Sequence, residues 1–180
     1  MVKKTKKVIP GKTKKPTASA ARKIYVDKTK IVKKCIKLVE IFSDDDKAFA
    51  KILHPKVEST VFPNLFALKI HIRRLEEMKA GLAMGQKTLK SQQFKIKKLF
   101  ETKDAVTAEV LWTGEMAVDA GSLKKGQLLT AHCCFVFEFK DGLIFRQRNY
   151  DCYEPFEHDP AHLVKNYEKL PGNKPFLPRK

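Results

Sequence analysis

The sequence predicts an α+β fold, a curved antiparallel sheet rolled into a cone and covered by three N-terminal helices. Three observations predict it. Apolar residues at helical spacing are confined to the first half of the chain, four β-like runs follow one another in the second half, and short polar or glycine-bearing links join those runs.

The chain opens on a stretch too charged to fold. Its first 34 residues carry 13 Lys or Arg and one acid, which leaves 24 bases against 19 acids for the remainder. Such a stretch buries too little apolar surface to offset its ordering entropy, and its like charges repel. The expected organisation is a disordered basic tail at 1–23, one conical domain at 24–157 and a mostly irregular extension at 158–180. Five prolines from Pro155 to Pro178 account for the last, with one short helix expected after Asp159-Pro160.

From Lys23 to Phe42, Ile31, Cys35, Leu38, Val39 and Phe42 recur at three and four, the mark of an amphipathic helix. Ser43 followed by three aspartates supplies a cap and an acidic first turn for a second, short helix through Leu53, and His54-Pro55 stops it. Val57 to Phe62 reads as a brief strand. Asn64 then caps a third helix with a stripe of Leu65, Leu68, Ile72, Leu75, Met78 and Leu82, which Gly85 ends. Strands are expected near 92–100, 105–117, 127–139 and 143–153.

Register decides what those strands bury. Leu129, Ala131, Cys133, Phe135, Phe137 and Phe139 form one apolar face of the third run, and Val106, Ala108, Val110 and Trp112 one face of the second. The turn Lys140-Asp141-Gly142 admits a two-residue loop or a three-residue loop with a G1 bulge. With the shorter loop, Phe139 opposes Ile144 and Arg146 and Arg148 fall on the phenylalanine face, at a cost of several kcal/mol, roughly, for two unpaired buried cations. The longer loop is therefore expected. It places Phe145, Gln147, Asn149, Asp151 and Tyr153 inward and both arginines outward.

No apolar run approaches the ~18 residues that span a bilayer, and Val8-Ile9-Pro10 is too short for a secretory segment. A cytoplasmic protein is expected, or a nuclear one if the basic tail acts as an import signal. Cys35, Cys133, Cys134 and Cys152 form no CxxC pair and read as reduced, buried thiols rather than a metal site. There is no Gly-rich phosphate loop, HExxH or nucleophile elbow, so no cofactor is expected.

The run from Phe135 to Asp151, with its aromatic strand, Asp-Gly turn and Arg-rich return strand, resembles the terminal hairpin of SnoaL-like polyketide cyclases. The segment Asp44 to Phe49 and the His54-Pro55 stop resemble that family's opening, and the likeness covers about residues 25–157. It implies the cystatin-like, nuclear transport factor 2-like cone with an apolar cavity, frequent homodimers built on the outer sheet face, and activities from isomerases and cyclases to epoxide hydrolases. Residue by residue it implies less. The carboxylate of limonene-epoxide-hydrolase-like members falls at Asn149 and their Arg-x-Asp pair at Val110 and Trp112, and the ketosteroid-isomerase-like base falls near Ser59 or Thr60.

Three functional readings follow. A binding domain would hold a small apolar molecule against Trp112, Cys133, Phe135 and Phe145, with Gln147 and Asn149 as its polar contacts, or would pair with proteins through its sheet. A cofactor-free isomerase or cyclase would use Asp151 as general base, with Asn149 and Gln147 on the developing oxyanion. Alternatively the tail carries the function, with Lys3, Lys4, Lys6, Lys7, Lys12, Lys14 and Lys15 meeting nucleic-acid phosphates or an acidic surface.

Overall fold

The computed structural model describes residues 26–64 and 66–154, so the expectations for the tail at 1–23 and the extension at 158–180 lie outside the described residues. Helix α1 (Lys28–Glu40) begins where the Asp27 carboxylate accepts the Lys30 amide at 2.9 Å, later than the Lys23 expected. It buries Val32, Cys35 and Ile36 against the sheet. Helix α2 (Asp46–Ala50) is a single turn capped by Asp45 rather than Ser43, and it buries Phe49. No helix among the described residues is long and apolar enough to cross a membrane.

Strand β1 (Leu53–Val61) starts earlier than Val57 and takes in His54 and Pro55. Pro55 lies where the register with the neighbouring strand shifts, between Leu53 and Glu58, a place where a missing N–H leaves no ladder bond unmade.

The apolar series from Leu65 to Leu82 is not one helix. Asn64 closes a tight turn, its Oδ1 accepting the amides of Phe66 and Ala67 at 2.9 Å, and His71–Arg73 returns as β2 against β1. Pairing satisfies the outer edge of β1, which a helix here would have left open. Helix α3 (Leu75–Thr88) follows, with Gly85 inside it rather than at its end. Among the described residues the helices are thus two long ones and one turn, and α3 follows two strands instead of the one expected.

Strands β3 (Leu89–Glu101), β4 (Ala105–Met116), β5 (Leu128–Lys140) and β6 (Leu143–Tyr153) form the expected meander. The sheet order is β2-β1-β6-β5-β4-β3, and β1 runs parallel to β6, so the curved sheet is mixed rather than antiparallel. Its core joins Val106, Ala108 and Val110 of β4 to Leu129, Ala131 and Phe137 of β5 beneath α1. Burying each aliphatic side chain fully stabilises the fold by about 1.5–3 kcal/mol.

The β5–β6 hairpin corrects the expected turn. Asp141 and Gly142 form a two-residue loop with φ of 52° and 79°, so Lys140 faces Leu143 and Phe139 faces Ile144. The arginines nevertheless stay outside, because a β-bulge resets the alternation. Phe145 has no partner between the pairs Phe139–Ile144 and Glu138–Arg146. Ile144 enters the core at 0% exposure, while Gln147, Asn149 and Asp151 turn inward opposite Phe137, Phe135 and Cys133. Arg148 pairs with Glu138 on the outer face.

Candidate functional site

The concave face of the sheet and helices α1 and α3 enclose a cavity of about 340 Å³. Directly paired residues share a face, so strand register builds its wall row by row. Arg73, Ser59 and Gln147 lie side by side on β2, β1 and β6. Val61, Asn149 and Phe135 form the next row, and Asp151, Cys133 and Val110 the one after. Tyr153, Ala131, Trp112 and Phe94 close the far end. Polar side chains therefore gather on β2, β1 and β6, and the wall toward β3 and β4 is aromatic and aliphatic.

Each polar group has a definite setting. The Gln147 amide donates to Asn149 Oδ1 at 2.7 Å, which leaves the Asn149 NH₂ without a protein acceptor among the described residues. Asn64 Nδ2 donates to Asp151 Oδ2 at 3.4 Å, and the Cys133 thiol hydrogen-bonds the same carboxylate. Burial pushes the Asp151 carboxyl above the ordinary carboxylate range, and the Cys133 contact and the nearby Arg73 charge offset this only in part. Burial, then the Asp151 charge, likewise raises the Cys133 thiol and the Tyr153 phenol. Ser59, at 4% exposure, is the one buried polar or charged side chain among the described residues.

Trp112 is fixed from two sides. Its Nε1 donates to Gln92 Oε1 at 3.0 Å, and Gln92 Nε2 donates to the Val39 carbonyl at the end of α1 at 2.7 Å. Its benzo edge lies over Gly114, where a Cβ would stand 2.7 Å from the ring. The indole meets Tyr153 edge to face, with centroids 5.9 Å apart.

Six of the residues singled out from sequence share this cavity: Trp112, Cys133, Phe135, Gln147, Asn149 and Asp151. Phe145, expected with them, does not line it. As the bulge residue it turns to His54, with ring centroids 5.1 Å apart, and lies under Lys140 and Arg146. Lys3 to Lys15 lie outside the described residues. Of the thiols expected to be buried, Cys35 and Cys133 are, whereas Cys134 is half-buried and Cys152 exposed.

Sequence reasoning does not reach Arg73 or Gln92, both of which line the cavity. For Arg73 a signal exists: Leu68, Ile70 and Ile72 alternate with Lys69, His71 and Arg73 at a period of two, which marks a strand where a helical stripe can also be traced.

Comparison with known proteins matches residues 37–147 to the SnoaL-like domain. No curated protein matches the sequence. Among solved structures, a candidate SnoaL-like polyketide cyclase from Jannaschia sp. CCS1 superposes with a TM-score of 0.58 at 15% identity, covering 89% of this chain and all of its own. A candidate polyketide cyclase from Acidithiobacillus ferrooxidans gives 0.56 at 19% identity, over 71% of this chain and 89% of that one. An LEH-like epoxide hydrolase from M. tuberculosis gives 0.51 at 16% identity, over 71% and 82%. At such identities the likeness speaks for the shared fold.

Proposed function

The chain belongs to the SnoaL-like domain family, within the nuclear transport factor 2-like superfamily, and from that premise we propose that its cavity holds a small apolar molecule. The observation that carries this reading is the two-sided lining, with Phe94, Trp112 and Phe135 across from Ser59, Gln147 and Asn149. An apolar body packs on the first wall, and an oxygen of the ligand takes the free Asn149 NH₂. Residues expected at the epoxide-hydrolase positions are Asn149, Val110 and Trp112, which supports a binding role without that chemistry. Trp112 is the only tryptophan and lines the cavity, so its fluorescence reports binding directly. Titration with a bicyclic ketone should give a saturable change that Asn149→Leu weakens about tenfold, the loss of one hydrogen bond. A response that never saturates would count against the cavity as a binding site.

A second reading rests on Asp151, whose half-buried carboxylate is made more basic beside the position a ligand would fill. It takes a proton from the carbon next to a carbonyl, the electron pair moves to the carbonyl oxygen, and Asn149 hydrogen-bonds the enolate. No cofactor enters this step. Wild-type protein in D₂O should exchange those protons of the bound ketone, and Asp151→Asn should bind without exchanging. Equal exchange by both proteins would dispose of the base.

One outer surface and the charge of the first residues favour two more assignments. Ile72, 62% exposed, and Tyr150, 42% exposed and stacked on Phe62, make an apolar outer edge suited to a homodimer. Sedimentation should give a dimer that Ile72→Asp splits, and a wild-type monomer at micromolar concentration would refute it. The charge of residues 1–23 favours contact with nucleic acid from a cytoplasmic or nuclear protein. RNA binding should then fall with salt and with deletion of 1–23, and equal binding by the truncated chain would exclude it.

A further inference from the structure

Two cationic side chains line the cavity, and they differ in what they touch. Lys79 is engaged, its ammonium 2.8 Å from Asp46 and 3.2 Å from Glu76. Arg73 is half-buried, and among the described residues no carboxylate lies within ion-pairing distance of it. Its placement is specific. β2 sets it beside Ser59 and Gln147, and its guanidinium reaches across to α3, where Nη1 lies 3.3 Å from the point a Cβ on Gly81 would occupy. A larger residue than glycine at 81 would meet the guanidinium at that point. The cavity thus holds one cationic fork with unused donors, at the polar end of a space whose other end is Phe94 and Trp112.

We propose that Arg73 is the anion anchor of the cavity, and that the molecule bound there is an apolar carboxylic acid with its carboxylate on Arg73 and Ser59. The proposal rests on the reading of the cavity as a binding site and narrows it to one ligand class. A guanidinium takes both oxygens of a carboxylate through two parallel N–H bonds, which an ammonium or an amide cannot do. Ser59 adds a hydroxyl donor from the adjacent strand. Half-burial screens the cation only in part, and Asp151 feels its charge without ion-pairing with it, so an acid compensates it where a neutral ligand adds nothing. The hydrocarbon of such an acid runs from Arg73 toward Trp112, which places a reporter at the far end.

The test uses octanoate and methyl octanoate as probes, with Trp112 fluorescence of the full chain as readout. Wild-type protein should bind octanoate about tenfold or more tightly than the ester, as expected for a charge-assisted bidentate contact, and added salt should erode that preference. Arg73→Gln should bring the two affinities together by weakening the acid and leaving the ester unchanged. Arg73→Lys should keep part of the preference. Equal binding of acid and ester by the wild type, or a preference that survives in Arg73→Gln, would overturn the anchor while leaving the cavity as a site for apolar molecules. No response to either probe would remove the cavity reading itself, and the anchor with it. The wild-type acid-to-ester ratio and its salt dependence decide the matter even if the variants fail to fold.

Discussion

A carboxylate set against an aromatic wall is harder to ionise than one in water, and Asp151 is held there by Cys133 and Asn64. Because its folded-state pKa lies above the ordinary 3.8, folding takes up a proton between 3.8 and the raised value. Stability contributed by the protonated form is present below that window and is lost as pH rises through it. Asp151→Asn should therefore unfold at higher denaturant than the wild type at neutral pH, with the difference vanishing below pH 3.8, as paired denaturation curves would show. Gly114 makes a second residue-scale case. Its missing side chain is the space occupied by the Trp112 ring, so Gly114→Ala should cost about 1–3 kcal/mol and shift the tryptophan emission as the indole moves. An unchanged midpoint and spectrum would mean that the ring has room to give. Glycine 142, at φ 79°, is different again: Gly142→Ala loses the left-handed conformation the turn needs, at about 1 kcal/mol in the same assay.

At the scale of elements, the four late strands were legible because alternation survives even where side chains are polar. Two devices were not. The stretch from Leu65 to Leu82 satisfies a helical stripe and, in Leu68 to Arg73, a strand alternation, and the strand wins because β1 offers it an edge. A helix over this stretch takes Arg73 off the cavity wall, and the strand puts it there. In the β5–β6 hairpin the penalty on buried arginines was the right physics applied to the wrong remedy: the chain keeps the tight turn and spends one residue on a bulge. Hence Gln147, Asn149 and Asp151 were placed correctly and Phe145 was not. The bulge makes a sharp prediction. Deleting Phe145 leaves Ile144 opposite Phe139 and Arg146 opposite Glu138 in a regular strand, so the variant should fold with Trp112 emission unchanged. It should lose the Phe145 contacts with His54, Lys140 and Arg146, about 0.5–3 kcal/mol. Deleting Arg146 instead removes the bulge equally, so the residues after it keep their faces and Phe145 comes to stand opposite Glu138.

For the molecule as a whole, the division between a sealed interior and an accessible rim can be read from its thiols. Cys152 is exposed and Cys134 half-buried, whereas burial pushes Cys35 up to about 12 and raises Cys133 as well. In the native protein a thiol reagent should modify Cys152 first and Cys134 more slowly, with Cys35 and Cys133 reacting only on unfolding. Rapid modification of all four would mean that the cavity opens on the timescale of the assay. The order of the sheet adds a consequence for biogenesis. Among the described strands the last in chain order, β6, is the one that lies between β1 and β5. A nascent chain that stops short of Leu143 holds a hairpin and a three-stranded ribbon with no strand between them, and among the described residues α3 touches both. Assembly of the sheet must wait for that keystone, and until β6 is made the half-built ribbon is a natural client for holding chaperones.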